Sequence, residues 1–560
     1  MTCSAVVAGL TIFFGMQGAA QTPPSPVALE QSCLRPAAGS LVTNPPEIRN
    51  LNASRPVNFT VHNIAPGQNC YLADGQVVAP TLRVNPGAAG ETIVLRLTNQ
   101  LPNLAAQTQP ANQSPAQMAE IDATTTELCG GGMPPLNSTN LHFHGFNVSP
   151  MCHQDEVVKT VIKPNKTFEY RVEIPEKEPP GLYWYHPHIH MQSEGQVLSG
   201  LTGALIVEGI GKFNQRAAQL PERVFVLRDL EPSQEFPDSD TDQLPAKDIS
   251  INSVPIRYLG KGQYDPPAVI KMKPSQEQFW RVANTASDTY FDLQVIYDGT
   301  AQPLELVGRD GVPINSDGPK NQTLPVNHIL LPPAGRAEFI IRGPGAGVKD
   351  AKLLTLNYET GTQGDNDPPR TIAIIDTPAT ATAAASASAS APESNVDLTQ
   401  VSGDRFSGLN QEKPIQQRTL YFSETDPSVT PAQFYITVLG NQPKVFDPNF
   451  TTPDITVQEG TTEDWIVQNQ AQEAHAFHIH QIHFLVLESS DASEIGMLRD
   501  TINLPAWDGN PNTPFPQVKL RMDFRGKGSS IAGTFVYHCH ILEHEDKGMM
   551  APIEVKSQKV

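Results

Sequence analysis

Positive charge is what this chain has least of. Lysine and arginine number 39 against 59 aspartate and glutamate, a formal net charge of −20, and no Lys or Arg precedes Arg35. An acidic surface of that size repels phosphate, which argues against nucleic acid or an anionic membrane as a partner. Charge of either sign is sparse at 18%. Beyond the first twenty residues no run is long and apolar enough to span a bilayer. Methionine is also scarce, 11 residues with no cluster apart from Met549-Met550. Proline, by contrast, is frequent at 51 residues. Frequent proline with little charge suits a β-rich fold with many turns rather than a helical one. A chain of 560 residues is long enough for roughly three or four domains, each with its own core.

The opening MTCSAVVAGLTIFFGMQGAA has an apolar run that ends in Gly18-Ala19-Ala20, a small-x-small cleavage pattern. Residues 1–20 therefore read as a signal peptide, although the usual basic start is missing, and the expected location is secreted or periplasmic. Cysteine usage fits that compartment. Apart from Cys3 and Cys539, the cysteines are Cys33, Cys70, Cys129 and Cys152, all in the first third. Two disulfides are expected, and four cysteines allow three pairings.

A segment recurs along the chain. PTLRVNPGAAGETIVLRLTN begins at Pro80, PAVIKMKPSQEQFWRVAN at Pro267 and PDITVQEGTTEDWIVQN at Pro453, spaced 187 and 186 residues apart. Each copy is an alternating strand, a turn, a second alternating strand and a closing Asn, the pattern of a sandwich hairpin. Three copies predict three similar β-sandwich domains: 21–210, 211–377 and 406–560. Between the last two, 378–405 holds an Ala/Ser/Thr tract with no apolar side chain larger than alanine, which reads as a solvated linker. A further insert at 103–135, rich in Gln, Ala, Thr and Gly, reads as a surface loop.

Histidines fall in step with the repeat. LHFHG (His142, His144) follows the first copy and HAFHIH (His475, His478, His480) the third. The second copy is followed by YFDLQV, where Phe291 and Leu293 stand in place of imidazoles. A sharper correspondence joins GLYWYHPHIH (181–190) to GTFVYHCHIL (533–542): His186 and His188 align with His538 and His540, and Pro187 with Cys539. Side chains two apart on a strand share a face, and the one between points the other way. Four His-x-His pairs thus offer eight imidazoles, half from the first domain and half from the third, enough for several metal ions at their interface. Cys539 must face a separate site. His475, Cys539, His544 and Met549 are the soft donor set of a blue-copper centre, with the thioether as a weak axial ligand. A closed zinc site needs only four ligands, fewer than are present here.

These segments resemble those of the multicopper oxidases, the family that includes laccases, bilirubin oxidases and bacterial cuprous oxidases. The likeness covers nearly the whole chain after the signal. It implies an all-β architecture of three cupredoxin-like Greek-key β-sandwich domains carrying four copper ions, one type 1, one type 2 and two type 3. By the resemblance His142 and His478 match type 2 ligands, and His144, His186, His188, His480, His538 and His540 match type 3 ligands. His475, Cys539, His544 and Met549 match type 1. It further implies that single electrons pass from a small reductant to type 1 copper and on to the cluster, where dioxygen is reduced to water. Asp155 and Glu545 match the acids that supply protons. The axial methionine predicts a low type 1 potential and easily oxidised donors, electron-rich phenols or metal ions. The methionine-rich insert that marks many cuprous oxidases is missing, so a laccase-like role is expected, with cuprous or other metal-ion oxidation as the alternative. Asp500 and Asp508, in RDTINLPAWDG, are expected to orient a phenol near type 1 copper. His62, His153, His190, His328 and His483 take no assigned role.

Overall fold

The computed structural model describes residues 33–557, except 34, 50, 52–53, 86–91, 104–128, 235, 237–243, 315–319, 378–404 and 426–427. The expected signal peptide, nearly all of the linker and most of the 103–135 insert lie outside the described residues.

Strands form because apolar residues alternate. In Thr167–Glu173, Phe168, Tyr170 and Val172 are buried while the residues between them face outward or lie half-buried. Such one-faced strands stack into three sandwiches, each around its own apolar core. In the first, a sheet that contains Val57–Ala65, Thr92–Gln100 and Thr167–Glu173 faces one that contains Thr81–Val84, Gly203–Val207, Gly181–His186 and His142–His144. The third repeats this plan. A sheet with Gln416–Glu424, Thr461–Asn469 and Gln517–Phe524 faces one ordered Ile455–Gln458, Met550–Lys556, Gly533–Cys539, His475–Ile479 and Thr501–Leu504. The second sandwich is built on Glu222–Leu230, Glu277–Asn284 and Arg336–Arg342 against Ala268–Lys271, Arg370–Asp376, Ala351–Leu356 and Phe291–Tyr297. Phe291 and Leu293 are fully buried in its core.

The hairpin reading of the recurring segment is not what forms. Its two strands lie in opposite sheets in all three sandwiches. The first strand pairs in parallel with a late one: Thr81–Val84 with Gly203–Val207, Ala268–Lys271 with Arg370–Asp376, and Ile455–Gln458 with Met550–Lys556. The second pairs in parallel with an early one: Thr92–Gln100 with Val57–Ala65, Glu277–Asn284 with Glu222–Leu230, and Thr461–Asn469 with Gln416–Glu424. Alternation tells only that each strand has one apolar face. Two such faces meet as well across a core as side by side, so the segment arches from sheet to sheet.

The closing Asn of each copy has a defined task. Asn99, Asn284 and Asn469 are fully buried. Each amide donates to two backbone carbonyls: Asn99 to Asn137 and Ile162, Asn284 to Thr289 and Leu331, Asn469 to Glu473 and Pro505. Each side-chain oxygen accepts the N–H two residues on, from Leu101, Ala286 and Ala471. The loop that follows is latched to the sheet by three bonds to one side chain. The disulfides are Cys33–Cys70 and Cys129–Cys152, which settles the open pairing. Among the described residues no helix is long and apolar enough to cross a membrane.

Replacing the latch in the second sandwich, Asn284→Ala, strands two buried carbonyls and one N–H. It is expected to lower stability by about 2–4 kcal/mol in denaturant unfolding. A loss below about 1 kcal/mol would mean that the loop is held by other contacts.

Candidate functional site

The imidazoles are brought together by two equivalent antiparallel pairs. In the first sandwich His142 lies directly opposite His186, and in the third His478 lies opposite His538. Residues opposite one another share a face, so each pair presents its rings at one end of its sheet. His188, His480 and His540 lie just past the ends of their strands. The two ends meet at the seam between the first and third sandwiches. His142 stacks on His480 at 3.9 Å and His144 on His478 at 4.0 Å, each a ring from one sandwich on a ring from the other. All eight rings are buried. Nearby, the helix Leu542–Asp546 abuts the helix Ser193–Leu198, with Asp546 accepting the N–H groups of Ser193 and Glu194.

The nitrogens gather in three groups: His142 with His144 and His478, His144 with His186 and His540, and His188 with His480 and His538. The two rings of the 186/188, 478/480 and 538/540 pairs serve different groups. Nε2 of His538 lies 3.3 Å from Nε2 of His188 and 3.2 Å from Nε2 of His480. Nε2 of His142, His186 and His478, Nδ1 of His144 and both nitrogens of His540 are buried with no hydrogen-bond partner.

The outer nitrogens are occupied. Nδ1 of His142 meets Asp155 at 3.0 Å, Nδ1 of His186 and His538 meet the carbonyls of Pro187 and Cys539, and Nδ1 of His478 meets the carbonyl of Asp500. A carbonyl or an ionised carboxylate only accepts, so these nitrogens carry the protons and the inward lone pairs are free. Burial, reinforced by neighbouring imidazoles, holds His142, His144, His478, His480 and His540 well below the ordinary histidine range. The same causes hold His186 at about 3. Burial brings His188 to about 4. Neutral rings with unshared inward lone pairs are a metal-binding surface, and they fit copper.

Alternation turns Cys539 the other way. Its Sγ lies 3.6 Å from Nδ1 of His475 and 3.8 Å from Nδ1 of His544, and those two nitrogens are 3.2 Å apart. Cys539 is the free cysteine of the described residues, fully buried in the core that also contains Met549. Its N–H donates to the carbonyl of Met549. Nε2 of His544 meets Glu473 at 3.3 Å, and its ring stacks on Phe434 at 4.1 Å.

Both expected acids reach the ring groups. Asp155 sits behind His142 and accepts from the N–H of Phe143 at 2.9 Å and from Gln481 at 2.6 Å. Burial raises its carboxyl well above the ordinary range. Glu545 lies 3.1 Å from Nδ1 of His538 and 3.7 Å from Nε2 of His188. Burial acts to raise it too, but His188 and His538 outweigh that and keep it ionised. Two carboxyls poised in opposite directions are the usual mark of a proton donor and a proton acceptor.

Asp500 is not where a phenol docks. It is fully buried beneath the rings, 3.3 Å from Nε2 of His144, and is held by Arg336 of the second sandwich. Strand Thr501–Leu504 pairs with His475–Ile479, and this sets the residue just before it under His478 rather than by Cys539. Asp508 is exposed and accepts the N–H of Asn510 in its own turn. Residues that the sequence did not single out are Gln481, Glu473, Arg336 and Asn140. Asn140 donates to the carbonyls of Val157, Thr160 and His188 and accepts the His188 N–H. The remaining histidines take ordinary roles. His62 meets Thr60, His153 stacks on Phe168, His328 pairs with Asp292 and His190 packs on Phe446, while His483 bonds the carbonyl of Asp310.

The depressed histidines fix a pH dependence. Below about pH 6.5 the unfolded chain takes up protons that the folded rings refuse, so the copper-free protein is expected to lose stability as pH falls from 7 toward 4. Each ring contributes up to about 1.4 kcal/mol per pH unit. Thermal unfolding of copper-free protein across that range checks this, and a flat profile would mean that the rings are already protonated or solvated.

Multicopper oxidase family profiles match residues 136–211 and 424–559, the two stretches that carry all eight seam rings as well as His475, Cys539 and His544. The chain is 24% identical over 433 residues to a multicopper oxidase of Staphylococcus aureus, spanning 75% of this chain and 77% of that protein. It is 24% identical over 523 residues to a laccase of Bacillus subtilis, 88% of this chain and 92% of that one. Its fold is shared with the McoA multicopper oxidase of Aquifex aeolicus, at a TM-score of 0.62, 17% identity and coverage of 93% and 99%. It is also shared with a multicopper oxidase of Campylobacter jejuni described as a metallo-oxidase, at a TM-score of 0.61, 22% identity and coverage of 93% and 96%. With three sandwiches, a seam of buried imidazoles and these relatives, the chain belongs to the multicopper oxidase family.

Proposed function

We propose that this protein is a laccase-like oxidase that takes single electrons from phenolic or similar reductants and reduces dioxygen to water. The observation that carries the reading is covalent: Cys539 is bonded through the main chain to His538 and His540, which belong to two different ring groups. Cys539, His475, His544 and Met549 hold type 1 copper, and His142 and His478 hold type 2. One type 3 ion takes His144, His186 and His540, and the other takes His188, His480 and His538. Copper bound there supplies one-electron acceptance at the first site and delivery of electrons to dioxygen at the other three.

The chain's own residues do the rest. The backbone from Cys539 leads straight into both neighbouring histidines, so no solvent gap interrupts the path. Asp155, its carboxyl raised by burial, stands behind His142 and is aimed by Gln481 and the N–H of Phe143. Glu545 offers an ionised carboxylate beside His538 and His188. The two disulfides and the candidate signal support export to an oxidising compartment.

A metal-ion oxidase is the second reading, and one observation favours it. Glu473 meets the outer edge of His544, and burial together with Glu473 pushes Glu424 up to about 7. Carboxylates at that edge suit a cationic donor, while the missing methionine cluster speaks against cuprous ion.

Oxygen uptake by copper-loaded protein, with a dimethoxyphenol and with cuprous ion supplied separately, decides between them. Faster turnover on the phenol is expected, faster turnover on cuprous ion would make this a metal oxidase, and no uptake with either would sink both readings. Glu545→Gln is expected to slow reoxidation by dioxygen by roughly 10²-fold or more. Reduction of the blue site by the donor, followed by stopped flow without oxygen, should be unchanged.

A further inference from the structure

We propose that Arg336, from the sandwich that carries no candidate metal ligand, is a positioning residue of the trinuclear site, acting through Asp500 to fix which nitrogen His144 and His478 turn inward. The inference rests on the copper reading above.

Arg336 and Asp500 form a two-pronged pair, Nη1 to Oδ1 at 2.7 Å and Nη2 to Oδ2 at 2.5 Å, and both are fully buried. Such a fork sets the plane of the carboxylate as well as its place. Asp500 then touches both rings. Its Oδ1 is 3.3 Å from Nε2 of His144, and its backbone carbonyl is 2.9 Å from Nδ1 of His478. Thr501 donates to the same Oδ1 at 2.8 Å and stands 3.2 Å from Nδ1 of His478.

An arginine-paired carboxylate only accepts, so His144 must donate from Nε2 and turn Nδ1 inward. His478 donates from Nδ1 and turns Nε2 inward. The two rings stack on one another yet offer opposite nitrogens, and the orphaned atoms, Nδ1 of His144 and Nε2 of His478, are the ones this requires.

Arg336 is in turn held from its own sandwich. Its backbone N–H donates to Asp310 at 2.9 Å, and Asp310 also accepts from Arg499 at 2.6 Å. The first sandwich leaves room for the pair with Gly145, at φ +88°. A Cβ there would come within 2.5 Å of Arg336 Nη2 and 2.6 Å of Asp500 Oδ2. The glycine of LHFHG is thus the space through which the second sandwich reaches the rings.

Arg336→Lys tests this, because lysine keeps the charge and loses the fork. In copper-loaded protein the blue absorption of the Cys539 site should persist. Release of type 2 copper to a chelator should become roughly 10- to 100-fold easier, with a changed type 2 electron paramagnetic resonance signal. If that variant does not fold, Asp500→Asn, which keeps the shape, carries the same expectation. Wild-type protein with neither signal would overturn the copper reading itself. Wild type with both signals, and a variant matching it in copper retention and spectrum, would overturn the positioning role alone.

Discussion

Eight imidazoles have been taken out of water and turned toward one another across the seam of two sandwiches, and the rest of the structure answers to that. Buried ring nitrogens left without a hydrogen-bond partner, among them Nε2 of His142, His186 and His478 and Nδ1 of His144, cost free energy unless a cation lies among them. Keeping each ring neutral, aimed and inaccessible explains much of the surrounding polar structure. Carbonyls and carboxylates take the outer nitrogens, Asn140 ties the His188 backbone to the loop before His142, and ring stacks across the seam set the spacing.

Strand alternation then produces a second site at no further structural expense. With His538 and His540 committed to the seam, the residue between them can only point into the third sandwich, where His475, His544 and Met549 wait in an apolar core. Two kinds of chemistry are kept apart by one peptide unit on either side of a sulfur. A one-residue slip of this strand would exchange the faces and destroy both.

The positions of the clustered histidines were legible because the repeat and the alternation supply the phase independently: His186 and His188 align with His538 and His540 in sequence, and His186 and His538 take equivalent places in register. What was not legible depended on partners far away in the chain. Asp500 looked like a neighbour of the surface loop that contains Asp508, and nothing local tells that Arg336, 164 residues earlier, draws it under His144. The recurring segment looked like a hairpin because inward faces read the same whether they lie in one sheet or two. The disulfide pairing was open because loop-closure entropy separates the alternatives only weakly. The three closing asparagines were visible as a pattern, but their role as latches shows only when the accepting carbonyls are in place.

Metal analysis of purified protein tests the central claim most directly. Copper counted per chain, alongside the blue absorption of a single thiolate site, should come to about four ions with one of them blue. One ion per chain, or zinc in place of copper, would mean that the rings at the seam do not form the multi-ion site that their geometry describes.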